Sequence, residues 1–217
     1  MDTESGCAFI EVNSKGQNRI IVSAGTNRMY TEEYIQSVLE KAEAGDFVLL
    51  QNEINMVGEI IRLSHEKGCR VVFNASPIPK NPEELPLELV DIFMVNELEA
   101  AALAGTSAEG DFRDILKALQ KKYPKAAIVM TLGKDGVLYG YKEEFYSHPI
   151  FKVNAVDTTA AGDTFCGYFL AALCAGKSVE MALREASAAS AMAVSAKGAA
   201  PSIPVHSAME EWLRGRS

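Results

Sequence analysis

The chain has 217 residues, 48% hydrophobic and 23% charged, a balance that suits one α/β domain or a large domain with a small appendage. Its net charge of −8 argues against nucleic acid and anionic membranes as main partners, but not against a phosphate site made of local backbone N–H groups. It contains no apolar run of about 18 residues that would span a membrane, and the opening MDTESGCAFIEVN has neither the basic nor the apolar region of a signal peptide.

Taken in order, CAFIEV and NRIIVSAG read as two strands around the turn NSKGQ. TEEYIQSVLEKAEAG reads as a helix capped by Thr31, with Tyr34, Ile35, Val38 and Leu39 at helical spacing and Gly45 at its end. Then the pattern alternates: strand DFVLLQ, helix EINMVGEIIRLSHEKG, strand CRVVFNAS, loop PIPKNPEELP and strand VDIFMV. Helices NELEAAALAG and DFRDILKALQKKY follow, then strand AAIVMTLG and the hairpin GVLYGYKEEFYSH. Two helices close the chain, AGDTFCGYFLAALCAG and SVEMALREASAASAMAVSAKG.

Continuous apolar strands alternating with amphipathic helices predict a mostly parallel sheet covered on both faces. Such folds bind ligands beyond the carboxyl ends of their strands, which puts Glu53, Asn74, Asn96, Glu99 and Thr131 at one rim. The four cysteines show no CxxC spacing, and Cys166 and Cys174 would stand about 12 Å apart along one helix, too far for a disulfide. With three scattered histidines, this predicts reduced thiols, no structural zinc and a cytoplasmic setting.

The stretch DTTAAGDTF, residues 157–165, opens one of the closing helices. Small residues before an apolar run leave free N–H groups at the positive end of a helix dipole. Ala160, Ala161 and Gly162 have nothing bulky to keep a phosphate from those groups, and Asp163 could accept a proton from an attacking hydroxyl. The plainer alternative is a helix start capped by Thr159 or Asp157, with Asp163 offsetting the dipole. No GxxxxGK[ST] or strand-linked GxGxxG occurs, so neither a P-loop nor a dinucleotide-binding dehydrogenase gains support.

The whole string resembles the D-T-x-x-A-G-D signature of the PfkB, or ribokinase-like, sugar kinases. Further pieces follow the family order: FNASP at 73–77, MVNELEA at 94–100, TLGKDG at 131–136 and AVSAKGAAPSIP at 193–204. The opening GCAFIEVNSKGQNRIIVSAGTN is also similar to the ribokinase branch, so the resemblance spans nearly the whole chain. It implies a three-layer α/β/α sandwich with a mostly parallel central sheet, as a single domain over 1–217, with residues 1–30 as strands of the lid or edge.

The implied reaction transfers the γ-phosphoryl group of ATP to a sugar hydroxymethyl, with ribose favoured. In that reading Asp163 is the general base, touching the sugar hydroxyl, and Ala160, Ala161 and Gly162 form the anion hole. Asn96, Thr131, Gly133, Gly136 and Ser187 face the nucleotide, while Glu99 with Asn96 organises Mg²⁺ through water. Asp157, Thr159, Ala193, Ala196, Gly198 and Ser202 form a shell for K⁺ or a similar monovalent cation, and Glu53 contacts the sugar. Ser187 departs from the larger polar ring or amide common at its position, which weakens that contact.

The resemblance begins part-way through the family pattern. Roughly the first third of a usual member, which carries a sugar-binding aspartate and a glycine-rich segment, has no counterpart here. The expectation is therefore an N-terminally truncated fold with Met1 inside the longer pattern, measurable ATP binding, and weak or absent ribose phosphorylation by this chain alone. An uncovered sheet edge would favour a homo-oligomer. The alternatives are a nucleotide-binding fragment or interaction module, and a kinase for another sugar or a nucleoside.

Overall fold

The computed structural model describes residues 3–12 and 18–216, so the predicted turn NSKGQ lies outside the described residues. The chain divides into two compact units, Met1–Asp91 and Ile92–Ser217. In the first unit, β1 (Cys7–Val12) and β2 (Asn18–Ser23) pair antiparallel with Phe9 opposite Ile21. Helix α1 (Glu32–Leu39) starts where expected, because the Thr31 hydroxyl accepts the Tyr34 N–H at 3.3 Å. It ends six residues before Gly45. The chain tightens there, with Ala42 N–H bonding Leu39 C=O and the Asp46 carboxylate accepting from Glu43 N–H.

A β-α-β unit follows: β3 (Phe47–Gln51), α2 (Val57–Glu66) and β4 (Arg70–Asn74). The strands are parallel, in register from Phe47 opposite Arg70 to Gln51 opposite Asn74. Val71, Val72 and Phe73 are wholly buried, which is why β4 reads as a continuous apolar run rather than an alternating one. Each such side chain contributes about 1.5–3 kcal/mol relative to exposure.

Helix α2 buries Val57, Ile60, Ile61 and Ser64, a helical i, i+3, i+4, i+7 stripe. It begins four residues later than the sequence pattern suggests. Asn55 exchanges two hydrogen bonds with the Tyr30 backbone (3.0 and 2.8 Å), and the Asn52 amide donates to Pro77 C=O at 3.0 Å. These side chains offer the backbone a non-helical alternative, and Met56 sits at φ 60°.

In the second unit, β5 (Ile92–Asn96) runs parallel to β6 (Ala127–Thr131), with α3 (Glu97–Ala104) and α4 (Phe112–Lys122) between them in the chain. β7 (Val137–Tyr141) and β8 (Glu144–His148) continue the sheet antiparallel, confirming the predicted hairpin. Helices α5 (Ala161–Cys174) and α6 (Val179–Val194) pack together along buried alanines of α6, among them Ala182, Ala186, Ala189 and Ala193. At the link between them Lys177 Nζ lies 2.6 Å from the buried Glu185 carboxylate.

The prediction that two helices close the chain is corrected. A third, α7 (His206–Arg214), follows α6. Met209 is fully buried against Ala188 and Ala189, with Trp212 and Leu213 packed beside it. Met209, Trp212 and Leu213 carry the i, i+3, i+4 signal that the reading of the sequence passed over.

Between β6 and β7 the chain makes a single 3-10 turn, Gly133–Asp135, and leaves it through Gly136 at φ 95°. A Cβ at Gly136 would collide with the His148 carbonyl oxygen. Gly136→Ala is thus expected to lower unfolding stability by about 3 kcal/mol. A urea melt showing a loss under about 1 kcal/mol would contradict that assignment.

Candidate active site

The loop before α5 has a different hydrogen-bond pattern from the one expected of a capped helix. Ala160 occupies the N-cap position, and no side chain caps the helix. The Thr159 hydroxyl, expected to serve there, donates instead to Asp157 Oδ1 at 2.6 Å, joined by the Thr159 N–H at 3.0 Å. The helix therefore starts on backbone bonds: Ala161 N–H to Thr158 C=O and Thr164 N–H to Ala160 C=O. Positive dipole and uncapped N–H groups together make this end a site for an anion.

Gly162 and Asp163 are exposed in that first turn. A Cβ built at Gly162 meets nothing within 4 Å, so neither backbone conformation nor packing requires glycine there. A glycine in a helix costs about 0.5–1 kcal/mol relative to alanine. Its presence leaves open space directly over the helix start. Asp163 lies one residue further on in the same turn.

Asp157 ties two loops together. Its Oδ2 accepts the Gly198 N–H at 3.0 Å, while the Val156 and Asp157 N–H groups bond Val194 C=O at 2.7 and 3.1 Å. Of the predicted cation shell, Asp157, Thr159 and Gly198 are in direct contact. Ala193 and Ala196 share the turn that ends α6, with Ala196 N–H on Ala193 C=O at 3.1 Å, and Ser202 lies in the 3-10 turn that follows, its buried hydroxyl on Ala199 C=O at 2.8 Å.

The Thr159 hydroxyl, the Thr159 N–H and the Gly198 N–H all bond the charged form of Asp157 and hold its pKa below the usual carboxylate range. The tie is therefore complete above the unfolded-chain value of about 3.9 and is lost only as pH falls through the lower folded value. Amide NMR signals of Thr159 and Gly198 should stay constant from about pH 8 to 5 and move only in stronger acid. Titration of these signals near pH 6 would exclude this arrangement.

Asn96 and Thr131 end β5 and β6 opposite one another in the parallel register. Asn96 Oδ1 accepts the Glu99 N–H at 2.8 Å and Glu99 Oε2 accepts the Asn96 N–H at 2.9 Å, a reciprocal capping box that starts α3. Glu99 is buried. Thr131 leads into the turn holding Gly133 and Gly136, of which Gly133 has open space around it and Gly136 is demanded by the fold. Ser187 is half-buried on α6.

In the first unit, Glu53 is exposed in the turn after β3, at the same end of the β3–β4 pair as Asn74. It precedes α2, which begins only at Val57, although the sequence pattern puts it at the helix start. Asn52 and Asn55, which hold this turn, went unnoticed in the sequence. So did Ser190 of α6, whose hydroxyl donates to Ala161 C=O at 3.0 Å. Among the described residues no group of three or more His, Cys, Asp or Glu side chains gathers around a common point, and no helix is long and apolar enough to cross a membrane.

An α/β scaffold with an uncapped helix start offers a place where an anion such as phosphate can bind. The profile of the pfkB family of carbohydrate kinases matches residues 1–206, and the chain belongs to that family. It is 38% identical over 216 residues to the ribokinase of Bacillus subtilis and 35% identical over 213 to that of Haemophilus influenzae. These alignments cover 97% and 96% of this chain and 69% of each relative.

Among solved structures, a ribokinase from Thermotoga maritima superposes with a TM-score of 0.84 at 34% identity, over 99% of this chain and 71% of that one. The Arabidopsis thaliana ribokinase complexed with ribose and ATP gives 0.83 at 31% identity, over 98% and 70%. The fold is therefore the α/β fold of ribokinases, and the chain is of the phosphotransferase class.

Proposed function

We propose that this chain is an ATP-dependent sugar kinase that phosphorylates the hydroxymethyl group of ribose to give ribose 5-phosphate. The observation that carries the proposal is the start of α5: no side-chain cap, open space over Gly162, and Asp163 in the same turn. The relatives that are ribokinases, one of them complexed with ribose and ATP, support the choice of substrates.

In the reaction the sugar hydroxyl oxygen attacks the γ-phosphorus and the bond to the bridging oxygen of ATP breaks. ADP leaves, and Asp163 receives the hydroxyl proton. Backbone N–H groups of Ala160 and Gly162, with the Ala161 N–H shared with Thr158 C=O, would stabilise charge on the transferring group. Asn96, Thr131, Gly133, Gly136 and Ser187 would face the nucleotide, and Glu53 the sugar.

The residues present fit the implied ions. A carboxylate, a hydroxyl and loop carbonyls are hard oxygen donors, and Asp157 keeps acceptor capacity beyond its three hydrogen bonds. Asp157, Thr159, Ala193, Ala196, Gly198 and Ser202 would hold K⁺, which would stiffen the loops around the anion hole. Mg²⁺ usually binds through one or two carboxylates plus phosphate oxygens, a demand that Glu99 beside Asn96 can meet through water. Bound there, it would neutralise phosphate charge.

We read 1–217 as one ribokinase-like domain with residues 1–30 in its lid or edge, acting in the cytoplasm; the four free cysteines support that setting. Exposed Phe9, Ile21 and Val22 on β1 and β2 support a homo-oligomer, for which a single monomer boundary in sedimentation velocity would be contrary evidence. Ribose-dependent ADP release with Mg²⁺ and K⁺ tests the function: turnover in the ordinary kinase range of about 1–100 s⁻¹ supports it and overturns the expectation of weak or absent phosphorylation by this chain alone. ATP binding without ribose turnover would favour the second reading, a nucleotide-binding module, which the 69% coverage of the relatives supports.

A further inference from the structure

Ser190 stands on α6 three residues beyond Ser187, within a helix whose buried residues are mostly alanine. Its half-buried hydroxyl donates to the Ala161 carbonyl oxygen at 3.0 Å, across 29 positions of sequence. That carbonyl belongs to the first residue of α5, the helix that starts without a side-chain cap. The Ala161 C=O and the Gly162 N–H are the two ends of one peptide group, and Gly162 is exposed in the first turn of α5.

We propose that Ser190 is a positioning residue for phosphoryl transfer, acting through the Ala161–Gly162 peptide. Two effects follow from the hydrogen bond. It anchors the first turn of α5 to α6, so the turn cannot rotate its N–H groups away when an anion arrives. It also draws electron density toward the Ala161 oxygen and leaves the Gly162 N–H a stronger donor, a cooperative strengthening of about 10–30% per bond. Both effects act at the turn that receives the transferring group, so they bear more on the transferring phosphoryl than on ADP.

Sequence alone hides this role. A serine within an alanine-rich helix reads as one more small packing residue, and only the antiparallel seating of α5 on α6 brings it to residue 161.

The role rests on the kinase reading of the same site, and the test separates the two. The unsubstituted chain, Ser190→Ala and Ser190→Thr are compared for binding of ADP with Mg²⁺, and of ADP with Mg²⁺ and aluminium fluoride, which mimics the transferring group. Ser190→Ala should weaken the fluoride complex about 3–10-fold, the worth of one hydrogen bond, and leave ADP within about twofold. Ser190→Thr, which keeps the hydroxyl, should restore it. Thermal midpoints should agree within about 2 °C, since alanine's helix propensity offsets the lost bond.

Equal fluoride-complex affinity in Ser190→Ala overturns the role of Ser190 and leaves the kinase reading standing. Equal weakening of both complexes makes Ser190 a packing residue and likewise overturns the role. If the unsubstituted chain binds neither complex, the kinase reading falls and takes the role of Ser190 with it.

Discussion

Asp163→Asn is expected to lower ribose-dependent phosphoryl transfer about 10²–10⁴-fold, the usual contribution of a positioned general base. Asparagine keeps the shape of the side chain and cannot take the proton. Asp163 is exposed in the first turn of α5, so the change opens no cavity. ATP affinity should hold or tighten, because a negative charge leaves the neighbourhood of the phosphates. The measurements are ADP release with ribose, Mg²⁺ and K⁺, and ATP titration by calorimetry. If Asp163 served only to balance the helix dipole, the variant would melt slightly earlier and turn over as before. Undiminished turnover would remove Asp163 from the base role.

Gly162→Val should cost about 10²-fold or more in the same assay, on the scale of losing one donor from an anion hole. Stability should not suffer. The backbone at Gly162 is helical and an added Cβ has no other group within 4 Å, so the first side-chain carbon strains nothing in the fold. What it fills is the space over the N–H groups of the turn. A melt at or above the original temperature, together with lost transfer, would mark Gly162 as a glycine kept for its ligand. Gly136 is the contrasting case, where added bulk strikes the His148 carbonyl and stability itself falls. Full activity in Gly162→Val would show that the transferring phosphoryl does not approach this turn.

Much of this was legible before any coordinates. Strands β3 to β6 are apolar runs and α2 and α4 amphipathic stripes, so local periodicity marked them to within a few residues. The boundaries that slipped did so for identifiable reasons. α2 starts late because Asn52 and Asn55 bond backbone brought near only by folding. α1 stops early because Asp46 turns the chain. α7 was missed because its short apolar stripe has meaning only against Ala188 and Ala189.

The sequence by itself determined the chemistry that is local: the run from Asp157 to Phe165, its small residues, its acid and the helix behind it. Contiguity suffices there, since a helix start is built from neighbouring residues. Tertiary structure decided how that chemistry is held. Thr159 bonds Asp157 rather than capping α5, and Asp157 reaches 41 positions along the chain to Gly198. Glu99 is buried in its capping box, and Ser190 finds Ala161 only because α5 and α6 pack along small side chains. Hydrogen bonds between distant residues leave no periodic trace in a sequence, so the partners that set up the site emerge only when the chain is folded.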